Sequence, residues 1–134
     1  MPGTPGLGKA FVGPDPADPI ADIGDGASGG SRVASISLPG GPHLLVGRVV
    51  LTTGASGGFV NCEFRRVPGG TRVGDIHSIG AAGSGNLSLT AVAAGNVVGV
   101  ELRCSRNIGS AVGASGGRIH AISATSVEPA GPAP

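Results

Sequence analysis

The sequence predicts an all-β protein: an antiparallel, jelly-roll-like β-sandwich of about seven to eight strands, preceded by an extended, irregular N-terminal arm. Three observations carry this. Apolar residues recur with a period of two in short, regularly spaced runs, and no stretch shows the 3.6-residue period of a helix. Glycine and proline, 27 and 11 of 134 residues, punctuate those runs, where they suit chain reversals. The pentapeptide Gly-Ala-Ser-Gly-Gly occurs at 26–30, 54–58 and 113–117, each time directly before a β-type run, and small residues that tolerate positive φ suit hinges there. So much glycine and proline raises the expectation of disorder, but charged residues are only 13% of the chain and the alternating Val, Ile and Leu are what disordered chains lack. The division that follows is an arm over 1–31, a sandwich over 32–128 and a tail over 129–134.

Each element rests on its own residues. Residues 1–30 hold eight Gly and five Pro without periodicity. Pro14, Pro16 and Pro19 favour extended backbone and remove helix donors. Phe11, Val12, Ile20 and Ile23 are the arm's large apolar groups and its expected anchors. Residues 33–38 alternate and end at the turn 38–42. The longest run, 43–53, places Leu45, Gly47, Val49 and Leu51 on one face and Leu44, Val46, Arg48 and Val50 on the other. Two apolar faces imply a central, well covered strand or a subunit contact. Over 59–66, Val60, Cys62 and Phe64 oppose Asn61, Glu63 and Arg65. After a turn at 67–71, 72–79 is the weakest run, and 86–93 carries Leu87, Leu89 and Ala91 on one face. Over 97–105, Val98, Val100, Leu102 and Cys104 share a face. The run 118–127 closes the body.

Net charge is +1, which gives no general reason to bind nucleic acid. Its distribution is uneven. Residues 1–31 set Lys9 against Asp15, Asp18, Asp22 and Asp25, a net −3, and residues 32–128 carry a net +4. An acidic arm on a basic body suits docking onto a neighbouring copy or a larger partner; four Asp keeping a linker solvated explain it equally well. No apolar run reaches membrane-spanning length, so no membrane partner is expected. The N-terminus lacks a basic segment followed by an apolar one; the expectation is assembly in a host cytoplasm. Arginine outnumbers lysine eight to one, which suggests a GC-rich genome.

Cys62 and Cys104 each fall on the apolar face of their own strand, so the two sulfurs are candidates for a disulfide. Closing their separation would contribute about 4 kcal/mol by chain entropy, useful to a core with three Phe and no Trp or Tyr. The alternative is two unrelated buried thiols acting as small apolar groups.

The order of residues 34–38, 45–51, Val60-Asn-Cys62, Leu87-Ser-Leu89-Thr90, 100–104 and 119–122 resembles small β-sandwich modules of actinobacteria and their phages, related in style to the C1q/TNF-like jelly roll. The resemblance covers residues 33–127 and rests on pattern and cysteine placement. It implies a trimer-forming jelly roll used for adhesion, display or particle decoration. The chain departs from it in lacking the aromatic core residues of C1q-like domains.

No residue set favours chemistry, and neither an enzyme nor a cofactor is expected. His43, His77 and His120 fall on different strands or turns, so a metal triad would be coincidence. The arm's Asp spacing fits no EF-hand loop and is broken by prolines. Arg65, Arg66 and Arg72, with Arg103 and Arg106, suit a charged strand edge, since no aromatics interleave them for single-strand stacking. The glycine loops lack the following Lys and helix of a phosphate cradle. Ser56 and Ser115 sit in turn-like sequence rather than on a nucleophile elbow. The expectation is therefore a structural virion protein of an actinobacterial phage, a capsid decoration or minor structural protein. It would be homo-oligomeric, with a trimer favoured, and attached through its arm to a major capsid or tail protein. The alternative is a cell-surface or secreted β-sandwich that binds glycan or protein, which would act outside the cell.

Overall fold

Alternation decides what is inside. In a computed structural model, which describes residues 9–13, 19–26, 29–107, 111–128 and 130–131 (backbone only at 53–57 and 81–84), six strands form. They are β1 (Ala10–Val12), β2 (Ser31–Ser37), β3 (His43–Arg66), β4 (Arg72–Ala93), β5 (Gly99–Asn107) and β6 (Gly113–Ser123). No α-helix occurs among the described residues.

β3 and β4 are 24 and 22 residues long and pair with each other antiparallel along most of their length. β3 changes its other partner half-way. Its first half pairs with β6, from His43↔Ser123 to Thr52↔Gly113; its second half pairs with β5, from Phe59↔Asn107 to Arg66↔Val100. Each long strand thus serves both layers, and six continuous strands supply eight segments in two antiparallel sheets. The first sheet is β1, β6, the first half of β3 and the second half of β4. The second is β2, β5, the second half of β3 and the first half of β4. The architecture is the jelly-roll-like sandwich that the alternation predicts.

Between the sheets lie the inward rows: Leu45, Val49 and Leu51; Val60, Cys62 and Phe64; Leu87 and Leu89; Val100, Leu102 and Cys104; Ile119 and Ala121. With few aromatics the layers must approach closely, and one contact shows how. A methyl group at Gly47 would stand 2.8 Å from Cζ of Phe64 and 3.4 Å from Cδ2 of Leu102. Phe64, the largest fully buried side chain, therefore fills the room that a missing side chain on the opposite layer leaves.

The structure departs from the sequence expectation in four places. Two of the three Gly-Ala-Ser-Gly-Gly copies are not reversals: 54–58 lies inside β3 and 113–117 opens β6. The copy in β3 coincides with register shifts between Thr52 and Phe59, where the strand crosses between sheets and small residues let it bend. In the third copy, Gly117 lies against the backbone carbonyl of Val33, leaving no room for a Cβ. The last strand ends at Ser123 rather than 127, because its partner β3 begins at His43 and Pro42 has no N–H to continue the ladder. Val97 is 2% exposed and Val98 50%, the reverse of the expected parity, because both precede β5 and its alternation does not govern them. Finally, three arm residues form β1.

Candidate interaction surface

The arm follows the body. β1 pairs antiparallel with β6, Ala10↔Ile122 to Val12↔His120. Gly13 N–H then donates to Ile119 O at 2.9 Å. Farther along, Ile20 and Ala114 exchange backbone bonds at 2.8 and 2.9 Å, Ile23 N–H donates to Val112 O, and Arg106 N–H donates to Gly24 O. The bonds from β1, Gly13 and Ile20 line the edge of β6, which would otherwise offer unpaired donors and acceptors to another chain, and those of Ile23 and Gly24 tie the arm to Val112 and to Arg106 of β5.

The expected anchors divide accordingly. Ile23 is fully buried in the core, Phe11 and Ile20 are partly buried against it, and Val12 is 53% exposed. Phe11 also meets the ring of His43 edge-on, centroids 5.8 Å apart. His43 is fully buried; its Nδ1 donates to Gly41 O at 2.9 Å while Nε2 has no partner. Asp15 and Asp18 lie outside the described residues. Asp22 is held by four contacts: Arg106 Nε at 2.9 Å and Nη2 at 3.1 Å, Gly24 N–H at 3.1 Å and Val112 N–H at 3.3 Å. The Arg106 hydrogen bonds, helped by the Gly24 amide, hold its carboxyl well below the usual carboxylate range. Asp25 makes a parallel bridge with Arg106.

The basic residues that suggested a charged strand edge are occupied by this chain. Arg106 grips Asp22; Arg103 donates to Gly29 O, Gly30 O and Glu101 Oε1 at 3.2–3.3 Å. Arg65 donates to Glu63 at 2.8 Å, with Arg72 4.0 Å from the same carboxylate. Across the outer face of the second sheet, Glu63 stands opposite Arg103 and Arg65 opposite Glu101. This face is a lattice of alternating charge paired within the chain, with the buried Arg65 Nε left without a partner.

The outer face of the first sheet differs. Register places Ala10, Ile122, Leu44 and Val92 in one row across all four strands, and Val12, His120, Val46 and Thr90 in the next. Farther along, Arg48 stands opposite Ser88, and Val50 opposite Asn86. A depression of about 330 Å³ opens there, lined by Arg48, Val50, Asn86, Ser88 and Gly116. Val12, Leu44, Val46, Val50, Val92 and Ile122 are each 38–53% exposed, six of the eleven exposed large apolar side chains among the described residues. Among the described residues, the second apolar face read from the sequence at 43–53 is therefore uncovered.

Cys62 and Cys104 are direct partners on β3 and β5. They form a disulfide, S–S 2.05 Å and Cα–Cα 4.1 Å, with both residues 1% exposed or less. It joins neighbours within one sheet. The three histidines lie on β3, β4 and β6, and among the described residues no group of three or more His, Cys, Asp or Glu gathers as metal ligands. Ser115 lies in β6; the side chain of Ser56 is not described. No helix among the described residues is long and apolar enough to cross a membrane.

This fold occurs in viral particles. The chain is similar to the infectious bursal disease virus particle protein, with a TM-score of 0.54 and 11% identity over 90% of this chain and 32% of that one. It is similar also to VP2 of the infectious bursal disease virus subviral particle, with a TM-score of 0.55 and 13% identity over 87% and 32%. The chain thus spans about a third of the length of these viral chains. A looser likeness, with a TM-score of 0.48 and 11% identity, covers 97% of this chain and 99% of the Eiger TNF from S. frugiperda. No protein-family model and no curated protein matches the sequence.

Proposed function

We propose that this chain is a non-enzymatic structural protein of a virion, a capsid decoration or minor structural protein of an actinobacterial phage. In this reading it is homo-oligomeric, with a trimer favoured, and seated on a major capsid or tail protein. The observation that carries the reading is the shared fold: the viral chains that match 87–90% of this one belong to infectious bursal disease virus particles. The arginine-rich, lysine-poor composition supports an actinobacterial host. A sandwich whose one outer face is charge-paired and whose other is apolar is suited to being packed against protein. The arm takes part in attachment in a restricted way, because Phe11, Ile20 and Ile23 already face this chain's own core. Of the expected anchors, Val12 is the one left exposed for a capsid or tail partner.

The test is location. Particles released by lysis of the producing cells are banded on a density gradient and digested for peptide mass spectrometry. The chain is expected in the particle band, in fixed ratio to the major capsid protein across fractions. Recovery only from the particle-free supernatant, or from the host cell surface, overturns the proposal and favours a secreted or cell-surface binding module.

A further inference from the structure

The third Gly-Ala-Ser-Gly-Gly copy does more than allow a close approach to β2. Register puts Arg48 opposite Arg118 and Val50 opposite Ser115, so Gly116 and Gly117 of β6 stand together against Val49 alone. That is a β-bulge, which bends a strand and re-aims the side chains around it. Gly117 lies on the Val33 carbonyl, but Gly116 has a φ of 61°, and an added Cβ there would meet only Val50 Cγ2, at 3.9 Å. The bulge thus leaves a gap where β6 would otherwise present a side chain. The depression of about 330 Å³ opens at this gap, with Arg48, Val50, Asn86 and Ser88 around it.

We infer that this depression is a binding site for a sugar acid, a single pyranose ring bearing a carboxylate, with Arg48 holding the carboxylate. The inference goes beyond the virion reading and does not depend on it.

Charge selects an anion. Arg65, Arg103 and Arg106 each hold a carboxylate of this chain, whereas the Arg48 side chain has no hydrogen bond or ion pair among the described residues. Its direct cross-strand neighbours are Ser88 and Arg118, and none of the segments that build this sheet contains Asp or Glu. Like charges directly opposite one another are unfavourable, and an anion bound beside them offsets that. A guanidinium is a planar fork that fits a carboxylate with two parallel hydrogen bonds. The remaining lining selects a polyol over a bare ion. An inorganic oxyanion only accepts hydrogen bonds, but the Asn86 amide and the Ser88 hydroxyl each donate and accept, as sugar hydroxyls do. Val50, 41% exposed, offers apolar surface to the C–H groups of a ring. The volume lies at the small end of ligand sites, which suits one ring rather than a chain of them.

Titration of the isotope-labelled full chain with glucuronate, glucose and inorganic sulfate, followed by amide NMR shifts, reads the outcome. Glucuronate is expected to shift the Arg48, Ser88 and Gly116 amides saturably, about tenfold more tightly than either glucose or sulfate. Arg48→Gln is expected to weaken glucuronate about tenfold or more, the loss of a charge-assisted hydrogen-bonded pair, with amide shifts away from the depression unchanged. Asn86→Leu is expected to weaken glucuronate and leave sulfate as it was. Arg32→Gln, at an exposed arginine of β2 on the other sheet, is expected to change nothing. Glucuronate that gives no saturable shift at these amides overturns the site. Glucose binding as tightly as glucuronate, or glucuronate binding that survives Arg48→Gln, overturns the role of the carboxylate. Sulfate binding as tightly as glucuronate overturns the sugar and leaves a bare oxyanion site. The three-ligand comparison on the wild type decides the matter even if a variant fails to fold, and particle location bears only on the virion reading.

Discussion

Removing the Cys62–Cys104 bridge by replacing both residues with alanine should lower stability by about 4 kcal/mol. The number comes from the folded connectivity. The bond closes a sequence separation of 42 residues, which contains the β3–β4 turn, all of β4 and the approach to β5. In the chain-entropy model, releasing a loop of that length returns about 13 cal/mol/K to the unfolded ensemble, or about 4 kcal/mol at 25 °C. At about 2.1 cal/mol/K of unfolding entropy per residue, a chain of this size loses about 14 °C in melting temperature. The folded state should otherwise change little, because the two strands remain neighbours through the whole Phe59↔Asn107 to Arg66↔Val100 ladder. The assay is a thermal melt followed by far-UV circular dichroism, at one fixed protein concentration because self-association shifts the midpoint. A thiol titration of the denatured wild type, expected to find none free, accompanies it. A fall of less than about 4 °C, or two reactive thiols in the denatured wild type, would refute the reasoning.

Two further outcomes follow from contacts between the layers and along the arm. Gly47→Ala should cost about 1–3 kcal/mol through overpacking against Phe64, read by urea denaturation, whereas Gly80→Ala, where an added Cβ meets nothing within 4 Å, should stay within about 0.5 kcal/mol; equal costs would mean that the layers are not as close as described. Because the Asp22 carboxyl is held below its ordinary value of about 3.9, its contribution is present above that pH and is lost only as pH falls through the lower folded value; hydrogen-exchange protection of the Ile23 and Arg106 amides should therefore be equal at pH 7 and pH 4.5 and should drop at pH 7 in Asp22→Asn, and a loss already evident at pH 4.5 in the wild type would contradict the pairing.

Parity made much of the interior legible. Leu45, Val49, Val60, Cys62, Phe64, Leu89, Leu102 and Ile119 point inward as their alternation requires, because side chains of a strand change face at every residue whatever its partner. The disulfide candidates were visible for the same reason. Pairing was not legible, because period two says which face a residue takes and nothing about which strand lies beside it. Nor could the Gly-Ala-Ser-Gly-Gly copies be sorted: the same small residues serve a reversal, a bend inside a strand or a close approach to a neighbour, and only tertiary context chooses. Two apolar faces at 43–53 left a covered strand and a subunit contact equally open, and it took the surroundings of Leu44 and Val46 to show that none of the described residues covers them. The arm was hidden for another reason. Its three-residue strand has no periodicity to detect, and its anchors match a groove that exists only once β6 is in place.

Lys9 and Ser123 lie side by side: Ser123 N–H donates to Lys9 O at 2.9 Å, and Lys9 N–H to the Ser123 hydroxyl at 2.7 Å. The backbone thus enters β1 and leaves β6 at a single corner, beside the row that holds Ala10 and Ile122. A short linker that replaces residues 1–8 and 124–134 would therefore suffice to join Lys9 and Ser123 into a circle. The same proximity carries a hazard, since a bulky fusion at that corner would crowd Ile122 and its neighbours and loosen any assembly built on them.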